Sequence, residues 1–267
     1  MNMNYYPPNF DKNRAVELGK LVDAAYTQYD QRSSSGGAWQ PAGYQVMAVI
    51  QAQEKGVLVP FGFVATKGTD AFVVIRGTIS PLEWLEDATI VPVPFAPKWG
   101  DTTQGFKGIY SQLSPAVNKA IQALRAANAF AALYVTGHSL GAALAHLAAA
   151  DIYIQQGISP ISYTLAGPRT GDSDFAAAFE QSGLQTWRIF NTEDIVPTLP
   201  LSTTEVEPVS LGLYESISEL ILKTLLQHAN ITRGGWSYVH LTVPIAVTFQ
   251  KGSIADNHNC TNLYNAL

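Results

Sequence analysis

The run Tyr134-Val135-Thr136-Gly137-His138-Ser139-Leu140-Gly141-Ala142-Ala143-Leu144-Ala145 compresses a strand end, a Gly-x-Ser-x-Gly turn and the start of a small-residue helix into one stretch. A backbone can reverse that sharply only where glycines remove the Cβ atoms that would collide with the neighbouring strand and helix. Leu133 to Thr136 is β-prone, and beyond the turn Ala143, Leu144, Leu147 and Ala148 recur at helical spacing. Strand, turn and helix in this order form a nucleophile elbow with Ser139 at its tip. Ala142 and Ala143 let the helix start lie close under the sheet, so its free N–H groups face any oxyanion formed beside Ser139. The N–H of Leu140 is the first expected donor.

The rest of the chain supplies the sheet that such an elbow needs. Asp11 to Asp30 carries apolar residues at helical spacing and stops before the Ser33-Ser34-Ser35-Gly36-Gly37 loop. Tyr44 to Gln51, Phe61 to Thr66 and Ala71 to Ile75 are strand-like, and Lys67-Gly68-Thr69-Asp70 predicts a hairpin between the last two. A helix is expected over Ser114 to Ala127, with Ser114 as N-cap and Pro115 at its first position. Ser162 to Ala166 and Thr186 to Asn191 are further strands, with a helix over Ser173 to Gln181 between them. This alternation predicts an α/β fold with a mostly parallel central sheet flanked by helices, its site at the carboxyl ends of the strands.

Length and composition narrow the function classes. In 267 residues no linker-like tract or charge block marks a boundary, so one domain over 1–267 is the economical expectation. With 16 Lys+Arg against 21 Asp+Glu there is no basic stripe, which argues against nucleic-acid binding. Charged residues make up only 14%, which suits either exposed apolar surface that meets lipid or a large buried core. Met1 to Phe10 lacks the features of a secretory signal, so a soluble cytoplasmic protein is expected, or an exported one whose sequence begins at its mature end. The longest apolar stretch, Leu133 to Ile154, is broken by His138, Ser139, His146 and Asp151, against a membrane span. Cys260 is the single cysteine, which excludes an intrachain disulfide and a cysteine metal cluster.

A serine hydroxyl is a weak nucleophile without a histidine base and an orienting carboxylate. On α/β sheets that carry an elbow the chain order is serine, acid, histidine. Asp194, just beyond the strand ending at Asn191 and followed by Ile195-Val196-Pro197, is the expected acid; Asp172, Asp174 and Glu193 fit solvated or helix-cap roles better. Of the later histidines, His228 lies in a Leu-rich helical segment and His240 in an alternating, strand-like Tyr238 to Val243. His258 stands in a polar loop where a mobile imidazole could swing over the serine, and it is the preferred base over His240. Phe72 to Ile75 is a buried strand leading through Arg76 and Gly77 to Thr78, whose N–H and hydroxyl make it the second expected oxyanion donor. Arg76 is expected in a salt bridge.

With these residues in place the chain resembles the class 3 lipases, the family of fungal triacylglycerol lipases, feruloyl esterases and their plant and bacterial relatives. Val74 to Thr78 is similar to the family's oxyanion strand, Gly137 to Gly141 to its elbow, Ala166 to Asp172 to its Pro-Arg-x-Gly turn, and Asn191 to Pro200 to its acid loop. The resemblance implies an α/β-hydrolase fold, Ser139 as nucleophile, Asp194 as acid, and His258 as base a few residues before Tyr264. It also implies a structural strand for Tyr238-Val239-His240. Residues 80–88 resemble the family's short amphipathic lid, in which Leu82, Trp84 and Leu85 would cover the serine in water and turn toward lipid. A fixed helix that packs its Trp is the competing reading.

The chain departs from the family at Thr103-Gln104, where a histidine precedes the Gly-Phe pair, and at 201–237, a long helical insertion before the Tyr238 strand. Its apolar stripe Leu213, Ile217, Leu220, Ile221 and Leu225 fits core, a second cap or a dimer surface, core being preferred. The expected activity is a serine carboxylester hydrolase for acylglycerols or related lipid esters, met at a lipid–water interface if the lid opens. It would need no cofactor or metal. Alternatives are a soluble esterase for short-chain or feruloyl esters, a phospholipase or galactolipase, and an inactive lipid-binding module.

Overall fold

The computed structural model describes residues 6–32, 37–78, 91–200, 237–242 and 244–267. The expected lid, 80–88, and residues 201–236 of the expected insertion lie outside the described residues, and with them Leu82, Trp84, Leu85 and His228.

A seven-stranded sheet forms the centre, in the order β1 (Gln45–Glu54), β2 (Val57–Lys67), β3 (Asp70–Ile75), β6 (Ala132–His138), β7 (Ile161–Leu165), β9 (Gln185–Asn191), β11 (Pro244–Val247). The β1–β2 and β2–β3 pairs are antiparallel, and every pair from β3 to β11 is parallel. The expected hairpin closes with Lys67 opposite Asp70. Four short strands, β4 (Pro92–Pro94), β5 (Asp101–Thr103), β8 (Gly171–Asp172) and β10 (Tyr238–Val239), form a second, antiparallel sheet in the order β10-β8-β5-β4.

The period of two along each strand splits the core across the sheet. In β3, Ala71, Val73 and Ile75 pack with α2 (Gln104–Ala126) and α3 (Leu140–Gln156). Phe72 and Val74 pack on the opposite face with α1 (Lys12–Asp30) and the C-terminal α6 (Cys260–Asn265). Both faces being covered, the parallel strands read as continuous apolar runs. Helix α3 is buried throughout Leu140–Ala150, which its alanines permit because they allow close approach on every side. Two large buried clusters thus account for much of the low charge content. Among the described residues no helix is long and apolar enough to cross a membrane.

Three local expectations are corrected or refined. Helix α2 does not begin at Ser114 but at Gln104, with Thr103 as N-cap accepting from the Phe106 N–H, and Pro115 lies inside it. The hydrogen bond lost at an internal proline costs about 3 kcal/mol. Burial of Phe106, Tyr110 and Leu113 on the added turns, each contributing about 1.5–3 kcal/mol, outweighs that cost. Ser114 Oγ instead donates to Asp151 of α3 at 2.7 Å, alongside Tyr110 and Asn118. Among the described residues, the alternation from Tyr238 to Val243 gives a strand at Tyr238–Val239, paired with β8 where the resemblance implied one, and Pro244–Val247 joins the edge of the main sheet. A proline is tolerated there as the first residue of an edge strand. Finally, His258 is not in an open polar loop: it closes the short helix α5 (Ile254–Asn257) and is 2% exposed.

Candidate active site

The elbow lies at the carboxyl end of β6, between strand and α3. Ser139 has φ 58° and ψ −129°, a strained conformation for a residue with a side chain. It occupies the N-cap of α3, yet its hydroxyl makes no cap bond, so the oxygen is not spent on the helix. Its backbone is pinned by the N–H donating to Leu165 O at 2.9 Å and the carbonyl accepting from Ala142 N at 2.9 Å. A Cβ at Gly137 would run into the Gly141 carbonyl, and one at Gly141 into the carbonyls of Ile75 and Arg76. The two glycines of the motif are therefore required by close approach, as the sequence implies.

Asp194 and His258, 64 residues apart, meet directly. His258 Nδ1–H donates to Asp194 Oδ2 at 2.7 Å, and Asp194 Oδ1 accepts from the Val196 N–H at 3.0 Å. Both side chains are buried, at 2% and 0% exposure. Because the proton on Nδ1 is held in the bond to Asp194, Nε2 is the free acceptor. His258 Nε2 and Ser139 Oγ are both buried, and neither has a hydrogen-bond partner among the described residues. Asp194 and His258 are thus joined, the bond between Nε2 and the serine is unmade, and such contacts commonly tighten only with substrate present. His258 is held against the elbow through His138, whose ring centroid is 4.6 Å from its own and whose Nε2–H donates to the His258 carbonyl at 2.7 Å.

The end of β3 abuts the serine: a Cβ at Gly77 would lie 2.8 Å from Ser139 Cβ. Thr78 follows at once, its Oγ1 buried without a partner among the described residues. Leu140 is the first residue of α3, so its N–H belongs to the turn that has no intrahelical acceptor. Arg76 is fully buried and makes the expected ion pair, with Glu54 at 3.5 Å. Its closer bonds are to carbonyls, Nε–H to Pro60 O at 2.8 Å and Nη1–H to Gly77 O at 2.6 Å, while Tyr29 and Phe61 sandwich the guanidinium. Burial lowers its pKa from the usual arginine range.

Two of the competing residues, Asp172 and His240, have structural work. Asp172 caps α4 (Ser173–Gln181) by accepting from the Phe175 N–H at 2.8 Å. His240 Nε2–H donates to Pro197 O at 2.7 Å, and burial together with Arg188 and Arg169 pushes its pKa down to about 3, which makes it a poor proton acceptor. The arginine of the Pro-Arg turn supports the acid loop: the Arg169 N–H donates to Leu199 O at 2.7 Å and Nη1 to the carbonyls of Thr198 and Pro200.

Sequence reasoning missed three side chains. Asn191 is fully buried and ties the acid loop to the base, Nδ2 donating to Asn257 O at 3.1 Å while Oδ1 accepts from the Phe249 N–H at 3.1 Å. Tyr26 and His138 form a chain beside the serine, with Tyr26 Oη 2.8 Å from His138 Nδ1. Their only sequence signals were a tyrosine beside the buried stripe of α1 and a histidine inside the elbow.

A strained serine between strand and buried helix, with a buried Asp–His pair delivered by later loops, defines an α/β-hydrolase-fold protein of the serine type. The family described as Lipase (class 3) matches residues 72–204, about half of the chain. The chain belongs to the class 3 lipase family. It is similar to a lipase of Rhizomucor miehei, 36% identical over 135 residues, which cover 48% of this chain and 37% of that protein. It is also similar to phospholipase A1-II 3 of Oryza sativa subsp. japonica, 32% identical over 199 residues, covering 62% of this chain and 46% of that one. The chain thus matches less than half the length of these two relatives. Among solved structures, a triacylglycerol lipase described as having a serine protease triad as its catalytic centre superposes with a TM-score of 0.62 at 26% identity, covering 72% of this chain and 76% of that one.

Proposed function

We propose that this chain is a serine carboxylester hydrolase that cleaves acylglycerols or related lipid esters through an acyl-enzyme. Ser139 Oγ attacks the ester carbonyl as its proton passes to His258 Nε2, and Asp194 stabilises the imidazolium through Nδ1–H. The N–H groups of Thr78 and Leu140, with the Thr78 hydroxyl, hold the tetrahedral oxyanion. The imidazolium protonates the departing alcohol; His258 then takes a proton from water as it attacks the acyl-serine and passes that proton to Ser139 Oγ as the acyl–oxygen bond breaks, releasing the acid and restoring the serine hydroxyl. No cofactor enters this scheme. The observation that carries it is the buried pair of atoms without partners among the described residues, Ser139 Oγ and His258 Nε2, with the Nδ1–H of the same imidazole bonded to Asp194.

A phospholipase A1 reading is favoured by the rice relative. A fluorophosphonate probe should label the folded protein at one serine and leave Ser139→Ala unlabelled. Equal labelling of both would sink the proposal. Release of fatty acid from emulsified triacylglycerol, compared with release from phosphatidylcholine vesicles, then decides between the two lipid classes.

A further inference from the structure

We infer that Tyr26 and His138 are positioning residues that lock the oxyanion loop and the base into one hydrogen-bonded unit; this rests on the hydrolase reading above. The chain of bonds runs from the Gly77 N–H to Tyr26 Oη at 3.1 Å, from Tyr26 Oη to His138 Nδ1 at 2.8 Å, and from His138 Nε2 to the His258 carbonyl at 2.7 Å. Every proton in it is determined. A carbonyl can only accept, so His138 carries its proton on Nε2 and Nδ1 is an acceptor. Tyr26 must then donate to Nδ1, and its oxygen is left to accept the Gly77 N–H, which can only donate. His138 is 4% exposed, and burial together with the neighbouring His258 keeps its pKa well below the usual histidine value, so it stays neutral as the chain demands.

The two ends of this chain are the parts that must be in register for acyl transfer. At one end Gly77 is gripped from both sides, its N–H by Tyr26 and its carbonyl by Arg76 Nη1 at 2.6 Å. The Gly77 carbonyl and the Thr78 N–H share one planar peptide and point in opposite directions, so fixing the first aims the second. There is no slack: a Cβ on Gly77 would lie 2.6 Å from Tyr26 Oη and 2.8 Å from Ser139 Cβ. At the other end the bond to the His258 carbonyl fixes the backbone of the base, while Asp194 fixes its ring. Tyr26 comes from α1, His138 from the end of β6, and His258 from the C-terminal segment, so three remote pieces of chain close on one point. Such a unit contributes through alignment, where displacement of a reacting group by about 1 Å costs on the order of 10²-fold in rate.

The test is kcat per active site, with sites counted by fluorophosphonate titration, for wild type, Tyr26→Phe, His138→Gln and the control Tyr110→Phe. Tyr110 also donates a half-buried tyrosine hydrogen bond, to Asp151 at 2.7 Å between two helices, away from the elbow. On a soluble short-chain ester, Tyr26→Phe and His138→Gln should lose about 10–10²-fold in kcat per titrated site with KM changed by less than about twofold. Affinity for a trifluoromethyl ketone, which presents the oxyanion, should fall in parallel. Tyr110→Phe should lose thermal stability and keep kcat per site. If Tyr26→Phe and His138→Gln keep kcat per site within about threefold, or Tyr110→Phe loses as much as they do, the inference is overturned. Should Tyr26→Phe not fold, His138→Gln alone decides. Failure of the hydrolase reading itself looks different: the wild type would not be labelled at Ser139.

Discussion

Asp194→Asn should nearly abolish turnover while leaving the fold intact, because the loop around Asp194 dictates how the amide must sit. Asp194 Oδ1 accepts from the Val196 N–H at 3.0 Å and Oδ2 from His258 Nδ1–H at 2.7 Å. Asparagine offers one oxygen and one NH2. If the oxygen stays on Val196, the NH2 faces His258 and forces Nδ1 to become an acceptor, moving the imidazole proton to Nε2. That nitrogen then cannot take the Ser139 proton. The flipped amide would keep the correct tautomer but set an NH2 against the buried Val196 N–H, at a cost of about 1–3 kcal/mol for the stranded donor. The wrong tautomer therefore dominates by about 5–150-fold, and with the carboxylate charge that stabilises the imidazolium also lost, kcat should fall about 10⁴-fold on the scale of other triads, equivalent to about 5 kcal/mol of lost transition-state stabilisation. The assay is kcat per titrated site on a soluble short-chain ester, with a thermal melt beside it to show that the fold persists. A loss of less than about tenfold would refute the tautomer argument and with it the assignment of Asp194.

Two further outcomes follow from buried groups elsewhere. Thr78→Val keeps the backbone N–H and the side-chain shape but removes Oγ1, which is buried without a partner among the described residues. A fall in kcat of about 10²-fold at constant KM is expected, whereas unchanged kinetics would show that the hydroxyl does not serve the oxyanion. His146 is buried between Thr170, Thr164 and Thr186, and burial lowers its pKa to about 3. The unfolded chain protonates this histidine near its ordinary value of about 6.5. Between those limits the unfolded state binds the extra proton, so the stability is present above pH 6.5 and is lost as the pH falls toward 3, by about 1.4 kcal/mol per pH unit for one proton. Urea titrations at a series of pH values across that window should show a shallower slope for His146→Gln than for wild type; parallel slopes would contradict the burial argument.

Much of this arrangement was legible before any coordinates. The elbow is encoded largely locally: Gly137 is needed by its contact with the Gly141 carbonyl, whereas Gly141 is needed by the remote carbonyls of Ile75 and Arg76. Asp194 was readable because a carboxylate just past a β-strand, followed by apolar residues, has no better use. The central-sheet strands β2, β3, β6, β7 and β9 followed from their apolar runs, whereas β4, β5 and β8 of the second sheet, two or three residues each, carry no such run. The start of α2 was misread because Ser114-Pro115 carries a helix-start signal, whereas the long-range burial of Phe106 and Tyr110 extends the helix back to Gln104.

What the linear chain determined by itself is the elbow around Ser139, the fold class and the candidate residues and their order, because a strained turn, a strand end and a loop acid leave signatures within a few residues. Only the tertiary structure decided how those groups are held. Tyr26 meets His138 across 112 residues, His138 meets the His258 backbone across 120, and Asn191 reaches Asn257 across 66. A hydrogen bond between such distant positions imposes no periodicity on the sequence. It exists because burial on both faces of the sheet brings polar groups together where water cannot satisfy them, and each must find its partner there.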